Sequence, residues 1–224
     1  MPDSGDHKES ETVEQPLTED EEDRLEPEIA ARRQAALARL RTFGDPALRT
    51  NAAEVTSFDG ALAEEVARMG QLMSDALGVG LAATQLGVMH RLLVYRAGPD
   101  APLVAVVNPR LEWASSEQED MEEGCLSLPG VAVDVERPIH VRVKASDPSG
   151  EGILLEASGL EARVIQHEMD HLDGILILDR TTREQRKEAL RILREGPDAG
   201  GDADSSEDGD SAGSSEQQAE ASHA

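Results

Sequence analysis

The nine residues Gln166-His167-Glu168-Met169-Asp170-His171-Leu172-Asp173-Gly174 constrain this chain more than any other stretch. They close an apolar pattern, with Leu160, Val164, Met169 and Leu172 recurring at helical spacings, so the periodicity predicts a helix over residues 160–172. Residues four apart on such a helix lie about 40° apart around its axis and about 6 Å apart along it. His167 and His171 therefore share one face, and their imidazoles can hold a single metal ion. Glu168 stands beside that ion, within reach of a water molecule. Two histidine ligands and a carboxylate base are the working parts of a metal hydrolase. The plain alternative is a surface helix with incidental histidines.

A catalytic metal needs a third protein ligand and an open position. Downstream of His171 the only histidine is His223, close to the end of an acidic stretch. Glu184 falls in Thr181–Glu184, which reads as a capping box opening another helix. Upstream stands the single cysteine, Cys125, between Gly124 and Leu126-Ser127 and close to Glu123. A flexible glycine and polar neighbours are poor surroundings for an inert core thiol, and as a thiolate Cys125 supplies the missing ligand. A third segment is Gly78-Val79-Gly80-Leu81-Ala82-Ala83-Thr84-Gln85. Its glycines indicate a tight turn with close backbone packing. It lacks the Gly-Lys-Ser/Thr of a phosphate loop. Gln85 carries a neutral amide donor suited to a developing oxyanion.

In this order the three segments resemble the signature motifs of the peptide deformylase family: Gly-x-Gly-x-Ala-Ala-x-Gln, Glu-Gly-Cys-x-Ser and Gln-His-Glu-x-Asp-His-x-x-Gly. Every fixed position is matched, by Gly78, Gly80, Ala82, Ala83 and Gln85, by Glu123, Gly124, Cys125 and Ser127, and by Gln166, His167, Glu168, Asp170, His171 and Gly174. Residues 43–49 are similar to the family's N-terminal entry, and the resemblance covers roughly Thr42 to Leu193. Leu77 stands where many relatives carry a polar residue before the first glycine, and Ala132 where some carry an arginine near the substrate groove, which bears on substrate preference.

The resemblance implies hydrolysis of the N-formyl group from the initiator methionine of new proteins, with release of formate. Cys125, His167 and His171 would hold the metal, and Glu168 would move the proton. Gln85 and the Leu126 N–H would stabilise the oxyanion. Gly80 would admit the substrate backbone, and Val79, Leu160 and Val164 would form an apolar slot for methionine. The family likeness points to Fe(II) as the working ion, although Zn(II), Ni(II) or Co(II) suit the same donors. A zinc endopeptidase should carry a downstream ligand motif, and a non-catalytic relative should have lost Glu168 or Gln85.

With 224 residues, the chain suffices for one domain. Its net charge of −25 is uneven. Residues 1–28 hold twelve acidic residues against Lys8 and Arg24, and residues 195–224 hold nine with no Lys or Arg. Both ends are poor in large apolar residues and read as disordered acidic tails flanking one catalytic domain over 29–194. No apolar run approaches membrane-spanning length, and a lone cysteine fits a reducing cytoplasm. With so few large aromatics, mainly Tyr95 and Trp113, a base-stacking nucleic-acid surface is not expected. The basic residues between Arg180 and Arg194 suggest at most a transient ribosome contact near the nascent peptide.

Helices are further expected over 28–41, 59–76 and 182–194, with Ser57 or Asp59 capping the second and Gly78 ending it. Short strands are expected at 91–96, 103–107, around Val131, Val133 and Val135, and at Val141 and Val143. A strand edge at 126–128 is expected to add a peptide strand. His90 and His140 read as structural. The order is α+β, with mostly antiparallel strands packed around the central metal-binding helix and helices at both ends.

Overall fold

The computed structural model describes residues 25–98 and 101–195. The expectation of disordered acidic ends falls mainly on residues 1–24 and 196–224, outside the described residues.

Helix α1 (Pro27–Leu37) starts with proline in its first turn, where the missing N–H costs nothing. It stops four residues short of the expected end. Leu40 is nevertheless buried, with Ala36, against α2 (Gly60–Asp75). Asp59 caps α2 as expected: its Oδ1 accepts from the N–H groups of Ala61 (3.0 Å) and Leu62 (3.3 Å), and Ser57 Oγ donates to its Oδ2. Leu62, Met69 and Met73 are buried on one side, each contributing about 1.5–3 kcal/mol by leaving water.

The end of α2 differs from the expected stop at Gly78. Leu77 takes the left-handed conformation, with φ of 61°. Its N–H reaches Ser74 O and the Gly78 N–H reaches Met73 O at 2.9 Å. That conformation costs an L-residue roughly 1–2 kcal/mol, against about 0.5–1 kcal/mol of unfolded-state entropy for glycine. Leu77 is also 46% exposed, so little apolar burial is at stake. Leu77→Gly is therefore expected to stabilise the protein by about 0.5–1 kcal/mol. A lowered urea midpoint for this variant would show the turn to be unstrained.

Five strands form an antiparallel sheet: β1 (Gly80–Ala82), β2 (Leu92–Tyr95), β3 (Val104–Ala114), β6 (His140–Ser146) and β7 (Gly152–Ser158), in the order β1-β2-β3-β6-β7. Between β3 and β6 in the chain, β4 (Gln118–Gly124) and β5 (Ala132–Pro138) pair as a separate two-stranded sheet. All four residues of β2 are buried because both faces of that strand are covered. Leu93 and Tyr95 join the core around the metal-binding helix α3 (Gly159–Leu172), whereas Leu92 and Val94 join the core around α2. The expected α+β architecture with α3 at its centre is the observed one. A third cluster joins β5 to the C-terminal helix α4 (Arg183–Glu195) through Val133, Val135, Ile177 and Ala189.

Two local expectations are corrected. Residues 126–128 form a turn, closed by Leu128 N–H to Cys125 O (2.9 Å) and Val131 N–H to Leu128 O (3.2 Å). Leu128 is fully buried and Gly130, just after Pro129, has φ of 72°, which bends the chain into β5 instead of extending it. The cap of α4 is Thr182, whose Oγ1 accepts from Gln185 N–H, so Gln185 occupies the position expected of Glu184.

Candidate active site and metal centre

The last two turns of α3 carry His167, Glu168 and His171, exposed by 2%, 1% and 1%. Their imidazoles lie edge to face, with centroids 5.0 Å apart. The third arm comes from the two-stranded sheet: β4 ends at Gly124, and Cys125 opens the following turn with its Sγ 3.2 Å from His171 Nε2. One ligand atom from each of Cys125, His167 and His171 lies within 4.8 Å of the others. Sequence spacing predicted the histidine pair, and the fold brings the cysteine to it.

Hydrogen bonds outside the centre set which atoms face it. Glu123 is fully buried, and its Oε2 lies 3.0 Å from His167 Nδ1. With the proton on Nδ1, His167 Nε2 is turned inward as an acceptor. That nitrogen is buried and has no hydrogen-bond partner among the described residues, which is costly unless a cation occupies the centre. Burial pushes the His171 imidazolium down, reinforced by the charges of His167 and Arg137, so His171 is neutral, as a ligand must be. Burial also works against a charge on His167. Without a bound ion, the neighbouring Cys125, Glu123 and Glu168 more than offset it and raise its pKa well above the usual value. His167 Nε2 therefore becomes an acceptor only as a metal ion displaces the proton it otherwise carries. The centre thus draws positive charge into a buried spot lined by one soft and two borderline donors. This donor set fits a first-row divalent ion.

Glu123 is held by more than His167. Arg137 forks onto it, Nε to Oε1 at 2.6 Å and Nη2 to Oε2 at 2.9 Å, and reaches Asp170 Oδ2 with Nη1 at 2.9 Å. Arg180 holds the other oxygen of Asp170. Arg163 Nη1 adds a further bond to Glu123 Oε1 at 2.8 Å. Burial raises the Glu123 pKa, but the bonds from His167 and Arg137 outweigh it and keep the carboxyl well below the ordinary range. Sequence reasoning gave Arg137 and Arg163 no role. The signals were present: the alternation Val131, Val133, Val135 makes 137 the next inward position, and Arg163 interrupts the apolar side of α3.

The other predicted residues converge from β1 and the turn. Gln85 is fully buried in the short 3-10 helix Ala83–Leu86. Its Oε1 accepts from Ala82 N–H at 2.9 Å and its Nε2 donates to Ser127 Oγ at 3.2 Å, which fixes the amide with its NH2 toward Cys125. The N–H of Leu126 takes no part in the hydrogen bonds that close its turn. Val79 and Leu160 are half-buried against the α3 core, of which Val164, 1% exposed, is a buried member. Thr84 Oγ1 donates to His171 O at 3.1 Å, tying the first motif to the end of α3. His90 bonds Glu65 and His140 bonds Ser158, both away from the centre.

Gly80 also borders Glu168. A Cβ there would approach within 2.9 Å of the Glu168 carboxyl carbon and closer still to Oε1. The missing side chain makes room for the base. Gly80→Ala is expected to destabilise by about 1–3 kcal/mol, because the buried Glu168 side chain must shift from its Cγ outward. A displaced carboxylate also costs rate, about 100-fold in kcat with metal content unchanged. A kcat within threefold of the parent would show that Glu168 tolerates the displacement.

The Polypeptide deformylase family model matches residues 37–187. The peptide deformylase of Acidothermus cellulolyticus is 47% identical over 165 residues, covering 74% of this chain and 90% of that protein. That of Thermotoga neapolitana is 47% identical over 155 residues, 69% of this chain and 90% of the relative. The crystal structure of the Synechococcus elongatus peptide deformylase in complex with actinonin is 43% identical, with a TM-score of 0.65, and covers 68% of this chain and 85% of that one. The Thermotoga maritima enzyme gives 45% identity and a TM-score of 0.62, over 64% of this chain and 97% of that one.

Proposed function

This chain belongs to the polypeptide deformylase family, and we propose how its residues perform that family's reaction. The protein is a metal-dependent hydrolase that removes the N-formyl group from the N-terminal methionine of newly synthesised proteins, releasing formate. The assignment of roles rests on one observation: three ligand atoms of Cys125, His167 and His171 converge where Glu168 and the Gln85 amide also meet.

A divalent metal held by Cys125, His167 and His171 supplies Lewis acidity when bound and brings the pKa of water toward neutrality. Glu168 takes the proton of the attacking water as its oxygen bonds to the formyl carbon. The Gln85 amide and the Leu126 N–H donate to the formyl oxygen as negative charge grows there. Glu168 then gives the proton to the departing amine as the C–N bond breaks. Val79, Leu160 and Val164 receive the methionine side chain. β1 lies at one edge of its sheet, so the peptide adds there instead of at 126–128.

The catalytic unit is assigned to 29–194, acting in the cytoplasm, where a reducing medium preserves the Cys125 thiolate. No described helix is long and apolar enough to cross a membrane. A ribosome contact through α4 would be weak, because Arg186 already pairs with Asp179 and Arg191 with Glu188 and Glu195. A specific nucleic-acid partner is not part of this reading.

The working ion is assigned as Fe(II), with Zn(II), Ni(II) and Co(II) as substitutes, although raw affinity favours zinc over iron. Protein purified without oxygen is expected to contain iron, to release formate from formyl-Met-Ala-Ser, and to lose activity in air as metal and sulfur oxidise. Nickel- or cobalt-loaded protein should stay active in air, and zinc-loaded protein should be stable but slower. Full activity with zinc and no oxygen sensitivity would replace the iron assignment. Cleavage of an internal peptide bond in preference to formyl-Met-Ala-Ser would replace the deformylase reading with an endopeptidase.

A further inference from the structure

Arg163 is 2% exposed, one turn before His167 and between the apolar neighbours Ala162 and Val164. Burying a guanidinium is costly, and a well-packed hydrophobic residue in place of a buried ion pair is often neutral or stabilising. Packing alone therefore gives no reason for an arginine here. Charge balance on Glu123 gives none either, since Arg137 already supplies a complete fork to that carboxylate.

The bonds Arg163 makes point to a different role. Nη1 donates to Glu123 Oε1 at 2.8 Å and to Val135 O at 2.7 Å, and Nη2 donates to Glu119 O at 2.6 Å. Glu119 and Glu123 belong to β4, the strand that runs into Cys125, and Val135 belongs to its partner β5. Arg163 itself rides on α3, the helix of His167 and His171. One planar group thus ties the element bearing two of the ligands to the hairpin that delivers the third. The β4–β5 hairpin is a separate sheet, so no ladder of hydrogen bonds to the large sheet sets its distance from α3.

We propose that Arg163 is a positioning residue for the metal centre: it braces α3 against the β4–β5 hairpin and so fixes where Cys125 sits relative to His167 and His171. This rests on the ligand set proposed above. A brace and a mere positive charge predict opposite signs. If Arg163 acted only as a cation near the ion, removing it would strengthen metal binding. If it braces the ligands, removing it lets Cys125 drift and the metal leaves faster. Lysine keeps the charge but lacks the planar fork that reaches all three acceptors at once.

The test uses full-length cobalt-loaded protein and follows metal loss to an excess chelator, well below the melting temperature, together with the thiolate-to-cobalt absorption band. R163Q is expected to lose cobalt about 10–100-fold faster than the parent, the range for partners outside the ligand shell, with a shifted or weakened band. R163K should fall on the same side, at least threefold faster, and carries the test if R163Q does not fold. Leu62→Ala, in the distant α2 core, controls for general destabilisation and should leave the metal lifetime within twofold. An unchanged or longer lifetime in R163K or a folded R163Q, or an equal acceleration in Leu62→Ala, overturns the proposal. Metal content of the parent and of Cys125→Ser judges the ligand set separately: a parent that binds no cobalt, or a Cys125→Ser protein that binds it equally well, removes the ligand reading itself.

Discussion

Glu168→Ala is expected to keep its metal and its fold while losing about a thousandfold in kcat for formyl-Met-Ala-Ser, the middle of the range for a general acid–base group. The expectation follows from how the work is divided on one turn of helix. In the proposed site His167 and His171 would supply ligand nitrogens, while Glu168 faces Gly80 and lies outside the set of converging ligand atoms. Removing its carboxylate leaves that set intact but leaves the water without a proton acceptor and the amine without a donor. Glu168→Gln should fare no better, because an amide fills the space and cannot carry the proton. Metal analysis and a thermal melt separate this outcome from simple metal loss. A Glu168→Ala enzyme within tenfold of the parent would mean that another group moves the proton.

Cys125→Ser should show the complementary pattern: the fold survives, but metal and activity fall together. A serine hydroxyl is not ionised near neutral pH and is a hard donor, so two imidazoles remain where three ligands are needed. Loss of affinity should exceed the roughly 100-fold that marks the upper end for partners outside the ligand shell. Folding should be little affected, since serine nearly matches the small Cys125 in size and the fully buried Leu128 anchors the same turn in the third core cluster. His167→Ala and His171→Ala should behave alike. For His167→Ala, Glu123 remains paired with Arg137 and Arg163, so no buried carboxylate is stranded. Dialysis against limiting zinc with measurement of bound metal decides the point. Tight stoichiometric binding by the Cys125→Ser protein would place the third ligand elsewhere.

The parts of the site legible beforehand depend on short separations or on residue type. The histidine pair and Glu168 span one helical turn, so the 3.6-residue period aligns them wherever the helix packs. Cys125 was legible because it is the only thiol in the chain and its neighbours suit a reactive position. The Asp59 cap of α2 was legible for the same local reason.

Other features depended on where distant segments meet. Glu123 and Arg137 are 14 residues apart, Glu123 and Arg163 are 40 apart, and Glu123 and His167 are 44 apart. Which of them touch depends on the register of β4 against β5 and on the rotation of α3 above the hairpin. The end of α2 is similar in kind: Gly78 looked like the natural left-handed residue, yet Leu77 takes that conformation because the Gly78 N–H is drawn to Met73 O. That the missing side chain of Gly80 leaves room for Glu168, far along the chain, was likewise invisible before the two segments met. Short-range periodicity and side-chain chemistry in the sequence thus determined the helix, the histidine pair it carries and the reaction class. The tertiary structure alone decided which buried charges orient those ligands, because a buried charge takes its partners from whatever packing brings within hydrogen-bond distance.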